Sequence, residues 1–137
     1  MIYQPETLDK YRREAKELGY SVPSCYYDAD IMLLVKVCNG VGGQGGSLNP
    51  VLNFAYRKYQ GCAAPHDWGY AKGGTELDKM VLDVAFRDNM LKRWKVLYGS
   101  TRYINPVALW ERNKIRQAYR AVSMFGFQYF NYHAKKD

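Results

Sequence analysis

Cys62–Tyr70 reads CAAPHDWGY, and it decides the fold because one short, otherwise apolar stretch carries a histidine, a carboxylate and a phenol. Lys72-Gly73-Gly74 ends it. The segment from Glu76 to about Tyr98 follows, with Leu77, Met80, Val81, Val84, Leu91 and Trp94 repeating at helical spacing along an apolar side. Thr75 with Asp78 three residues on is an acidic form of the capping box and sets the start of that helix. The first segment reads as a helix over Cys62–Lys72, Pro65 being tolerable if the helix begins near it. Two helices joined by a short glycine turn run antiparallel, which brings Asp83 level with His66 or Tyr70. His66 and Tyr70, four residues apart, share a face, whereas Asp67 points about 100° away. Asp83 falls on the flank of the apolar side beside Met80 and Phe86, where a charge needs a partner.

Working outward, Pro5 suits the first turn of a helix, and Leu8, Tyr11, Ala15 and Leu18 recur at helical spacing until Gly19. Ser21–Asp28, with Pro23, is an irregular connection. DADIMLLVKV, Asp28–Val37, is apolar enough to be buried; Asp28 is placed to cap it as a helix, and a strand is the weaker alternative. Cys38–Pro50, CNGVGGQGGSLNP, has five glycines in thirteen residues. Such density lets the backbone turn carbonyls or amides toward one point, which suits an ion or a charged ligand. It fails as a phosphate loop, having no GK[ST] and no clear strand before it; a plain surface loop is the competing reading. Pro50–Gln60 is compatible with a short helix ending at Gly61.

Gly99–Pro106 is a turn. Pro106 opens a final helix to about Phe125, with Val107, Trp110, Ile115, Ala118, Tyr119 and Val122 on one side and Arg112, Lys114, Arg116 and Arg120 on the other. The ending, GFQYFNYHAKKD, is aromatic, and His133 reads as a surface or packing histidine with no evident partner. No repeat, low-complexity tract or domain boundary interrupts the chain. Residues 1–137 therefore read as one mainly α domain: an N-terminal helix over 5–19, two central antiparallel helices and a basic C-terminal helix over 106–125.

At 137 residues and 47% apolar content, the chain is long enough to bury a core. Its longest apolar run, Ile31–Cys38, is broken by Lys36 and falls well short of the ~20 residues of a membrane span. The start, MIYQPETLDKYRRE, lacks the apolar region of a secretory signal, so synthesis in the cytoplasm is expected. Cys25, Cys38 and Cys62 have no CxxC spacing, which argues against a disulfide scaffold and against zinc. The net charge is +7, and residues 91–137 hold ten Lys/Arg against Glu111 and Asp137. Such a face is often only solvated; otherwise it meets an anionic membrane, a nucleic acid or an acidic protein.

A histidine oriented by a carboxylate is a general base near neutral pH. No Ser is placed as its nucleophile, and Cys62 shares its face only if the helix extends through Pro65, so water is the natural nucleophile. Asp67 is left over. Beside a carbonyl-lined glycine loop, a carboxylate makes an oxygen site for Ca²⁺, and a hard cation there polarises an ester carbonyl.

CNGVGG, then C-x-x-x-HD-x-x-Y over Cys62–Tyr70, then D-x-x-F over Asp83–Phe86 together resemble the phospholipase A2 superfamily, in particular its disulfide-poor bacterial and viral members. The resemblance covers Cys38 to Met90. It implies that His66 is the base, Asp83 its orienting carboxylate, Tyr70 a hydrogen-bonding support and Asp67 a Ca²⁺ ligand. It further implies that the carbonyls of Cys38, Gly40 and Gly42 complete the ion site and that the Gly40 amide faces the oxyanion. Two half-cystine positions of secreted members are Gly69 and Leu82 here, and the glycine loop lies farther from His66. The missing signal matches viral members, so association with a virus or phage particle is part of the expectation.

Two functions follow. One is Ca²⁺-dependent hydrolysis of a phospholipid ester at a membrane surface, with the basic C-terminal third and the aromatics near Phe125–Tyr132 docking on anionic lipid. The other is a structural or virion-assembly protein on the same fold, its dyad a satisfied buried network and its basic helix bound to a protein or nucleic-acid neighbour, nucleic acid being the disfavoured partner.

Overall fold

A computed structural model describes residues 3–38 and 55–133. Helix α1, Pro5–Leu18, starts on Pro5, buries Leu8 and Ala15, and closes at Gly19, whose φ of 68° lets its N–H reach the Ala15 carbonyl. The next segment is a helix rather than a strand: α2, Ile31–Val37. Its cap is Asp30, not Asp28, because the Asp30 carboxylate accepts the Met32 N–H at 2.8 Å.

A 3₁₀ turn, Arg57–Tyr59, leads directly into α3, Gln60–Lys72. Gly61 therefore lies inside a helix and ends nothing. A Cβ there would run into Glu14 and Tyr11 of α1, so the missing side chain serves close helix packing. Pro65 sits in the sixth position and has no N–H to give the Gly61 carbonyl. Helix α3 is buried on every side, between one apolar cluster with Leu8, Tyr26 and Leu34 and another with Phe86, Met90, Trp94 and Ile115.

Helix α4, Glu76–Tyr98, begins at the expected Thr75–Asp78 capping box. Its orientation is not the expected one. Leu77 (67% exposed), Met80, Val81 and Val84 face outward, and the buried side carries Lys79, Asp83, Phe86, Asn89, Met90 and Trp94. The face is chosen by a polar network and by two large aromatics, which together outweigh four medium-sized aliphatics.

Helix α5, Pro106–Phe125, is capped by Asn105 and runs back along α4, with Trp94 Nε1 donating to the Ala108 carbonyl at 2.7 Å. Ala108, Glu111, Ile115 and Ala118 face inward. Val107 and Trp110, expected on that side, are exposed. Beyond a 3₁₀ turn at Gly126–Gln128, the chain returns to the α3–α4 turn, where Gly74 N–H donates to the Asn131 carbonyl at 2.9 Å and His133 N–H to Gly74 at 2.8 Å. His133 thus has partners, since its Nε2 also donates to the Lys72 carbonyl at 2.7 Å. Gly74 and Tyr132 form an isolated bridge, and the described residues contain no strand. None of their helices is long and apolar enough to cross a membrane. All three cysteines are free. Gly40, Gly42 and residues 50–54 of the segment before Gln60 lie outside the described residues.

Candidate functional site

Antiparallel packing of α3 on α4 depends on Gly69, where any Cβ would occupy the space of the Leu82 side chain. That close approach sets His66 opposite Asp83, with Nε2 2.9 Å from Oδ1. The Tyr70 hydroxyl donates to the same oxygen at 2.6 Å. The His66 and Tyr70 rings lie 4.2 Å apart, and Phe86 stacks on His66 at 4.6 Å. His66, Tyr70 and Asp83, read as one set from the sequence, are brought together and buried.

Lys79 belongs to the same cluster and was not anticipated. Its Nζ lies 2.7 Å from the second carboxylate oxygen, Oδ2, and also donates to the Val122 carbonyl of α5 at 3.0 Å. The one sequence signal for it was its spacing, four residues before Asp83, which puts the two on the same side of a helix. Lys79 and Asp83 together make a near-neutral pair, so the carboxylate is already compensated before His66 acquires any charge.

Burial pushes the His66 imidazole below its usual value, and this outweighs the Asp83 hydrogen bond, which pulls upward; Lys79 adds to the lowering. Burial alone would raise the Asp83 carboxyl, but hydrogen bonds from His66, Lys79 and Tyr70 together hold it below its usual range. The Tyr70 phenol is pushed up, by burial first and by Asp83 second. A neutral His66 must carry its proton on Nε2 to donate to Asp83, which leaves Nδ1 as the acceptor. Among the described residues, no hydrogen bond engages Nδ1. His66 also lines a small, almost wholly apolar pocket of about 10 Å³ with Ser21, Pro23, Cys62, Phe86 and Asn89. A neutral imidazole with its acceptor nitrogen uncommitted can take a proton from water, although the Lys79–Asp83 pair limits how far the carboxylate can stabilise the resulting imidazolium.

Asp67 is half-buried and turned toward the other side of α3, as its offset from His66 requires. After burial, its negative charge is the next largest influence pushing up the Tyr3 phenol and the Cys38 thiol. Cys38 itself packs on the turn that carries Asp67, its thiol donating to the Ala64 carbonyl at 3.4 Å. The glycine-rich stretch therefore starts beside Asp67. A carboxylate and a backbone carbonyl are donors of the kind a hard cation takes. Among the described residues, no group of three or more His, Cys, Asp or Glu converges, so an ion here would depend on backbone oxygens. Compared with family models, curated proteins and solved structures, the chain matches none.

Proposed function

We propose that this chain is a phospholipase A2-like hydrolase that uses Ca²⁺ and a His66-activated water to cleave a phospholipid ester at a membrane surface. The observation that carries the reading is a buried His66 held on Asp83 through Nε2, with no hydrogen bond on Nδ1 among the described residues. Asp83 orients the ring, Tyr70 fixes Asp83, and Nδ1 of His66 takes the proton from water. The Asp67 carboxylate and the carbonyls of Cys38, Gly40 and Gly42 would hold the ion, and the Gly40 amide would face the oxyanion. When bound, Ca²⁺ supplies polarisation of the ester carbonyl. The aromatics from Phe125 to Tyr132 and the basic C-terminal third would meet the lipid. The test is release of fatty acid from phospholipid vesicles in the presence of Ca²⁺. His66→Gln and excess chelator should each reduce turnover by about a hundredfold or more, and turnover unchanged in either would overturn the reading.

A second reading is favoured by Lys79. With Asp83 already paired to a buried lysine at 2.7 Å, His66 can serve as the third member of a satisfied structural network in an assembly protein on a similar helical fold, within a virus or phage particle or another complex. Under that reading, His66→Gln lowers the unfolding midpoint, and no hydrolysis is present to be lost.

A further inference from the structure

From Asn89 to Trp110 the chain contains no Asp or Glu, while Lys92, Arg93, Lys95 and Arg102 fall within the same span. This stretch forms the end of α4, the turn and the start of α5, hence one end of the molecule. Met90, Trp94 and Ala108 face the core, but four apolar side chains of the stretch point outward: Ile104 is 80% exposed, and Tyr103, Val107 and Trp110 are each more than half exposed. Cations are interleaved with them. The Arg102 guanidinium lies 4.9 Å from the Tyr103 ring centre, Arg112 lies 5.8 Å from the same ring, and Lys114 Nζ lies 4.4 Å from that of Trp110. The first acid beyond the span, Glu111, is 3% exposed and held by Tyr98 and Lys58, so it presents little negative charge to a partner.

We propose that this helical hairpin end is a docking surface for an anionic lipid bilayer, separate from the His66 cluster. The proposal shares the lipid partner of the reading above but none of its chemistry. A bilayer is favoured over a protein segment because the exposed groups come from two helix ends and the turn between them. They do not form a stripe along one helix that a partner helix would follow. A soft surface that is apolar beneath and anionic on top meets all of them at once, with Trp and Tyr at the polar boundary and Lys and Arg among the head groups. A second copy is disfavoured, because it would set one row of cations against another. The surface lies about 24 Å along α4 from Asp83, from sixteen residues of helical rise.

Trp110 makes the test specific: it is 62% exposed, whereas Trp68 and Trp94 are 8% and 1% exposed. The chain, as wild type and as His66→Gln, is titrated in chelator with vesicles of phosphatidylcholine alone and of phosphatidylcholine with phosphatidylglycerol in equal parts. The expected result is a blue shift of tryptophan emission with the anionic vesicles only, quenched by brominated acyl chains and lost in Trp110→Phe. Lys95→Gln and Arg102→Gln should each weaken binding about fivefold, and Ile104→Asp should weaken it further, with unchanged thermal melts. An equal shift with neutral vesicles would overturn the proposal. So would vesicle binding that survives Ile104→Asp but fails in Phe127→Asp. Self-association abolished by Ile104→Asp without any vesicle binding would instead assign the surface to a second copy, and a shift with duplex DNA but not with vesicles would assign it to nucleic acid. Because the measurement is made without Ca²⁺ and includes His66→Gln, loss of the hydrolase reading leaves its outcome untouched.

Discussion

Lys79 and Asp83 have side chains only 3% exposed and stand 2.7 Å apart, so each replaces the water the other has lost. Removing one member of such a pair leaves a buried charge without compensation, which costs about 3–5 kcal/mol. Lys79→Met should therefore lower unfolding free energy by about that amount in urea titrations. The same change removes a positive charge that depresses His66, so the His66 ring should titrate at higher pH in the variant, followed by its NMR ring protons. A shift downward, or none, would show that Lys79 does not act on the imidazole. The His66, Tyr70 and Asp83 set was legible in the sequence because helical spacing puts His66 and Tyr70 on one face and the short glycine turn folds the helix of Asp83 back against them. Lys79 was not, because a lysine in a run of aliphatics reads as a charge on the solvent side.

Among the elements, helix ends were more legible than helix faces. Thr75 with Asp78, Gly19 and Pro106 mark boundaries through local geometry, which needs no knowledge of neighbours. Which face of α4 turns inward depends on what its neighbours offer it: α3 offers His66 to Asp83, α5 the Val122 carbonyl to Lys79, and the loop after α1 the Ser21 backbone to Asn89. Gly61 was misread for a similar reason: a glycine that stops a helix and one that admits a neighbouring helix look alike until the neighbour is placed. Leu77→Glu with Val81→Glu tests the inverted face. Both residues are more than 60% exposed, so the pair should change stability by no more than about 0.5 kcal/mol per site. A loss of several kcal/mol in chemical denaturation would mean that this stripe is covered.

For the molecule as a whole, the buried cluster ties global stability to pH. His66 is depressed when folded, so the unfolded chain binds more protons than the folded one below the ordinary histidine value. Stability is then fully present above that value and is lost as pH falls toward the depressed one. Asp83, also depressed, adds a second loss as pH falls below the ordinary aspartate range. The urea midpoint should decline from about pH 7 to about pH 5 in the wild type and flatten over that interval in His66→Gln. A midpoint that rises on acidification would contradict the direction of the His66 shift. Helix α3 carries half of this cluster, and its burial on every side has a further consequence for how the sequence can change with time. From Gln60 to Tyr70 no position on it is exposed, so a substitution there calls for a matching one in α1, α4 or the C-terminal return. Divergence should gather instead on the outer stripe of α4 and the arginine side of α5. Two descendants of one ancestor would then look unrelated over most of their length and still keep small residues at positions 61 and 69, the histidine between them and an acid seventeen residues after it.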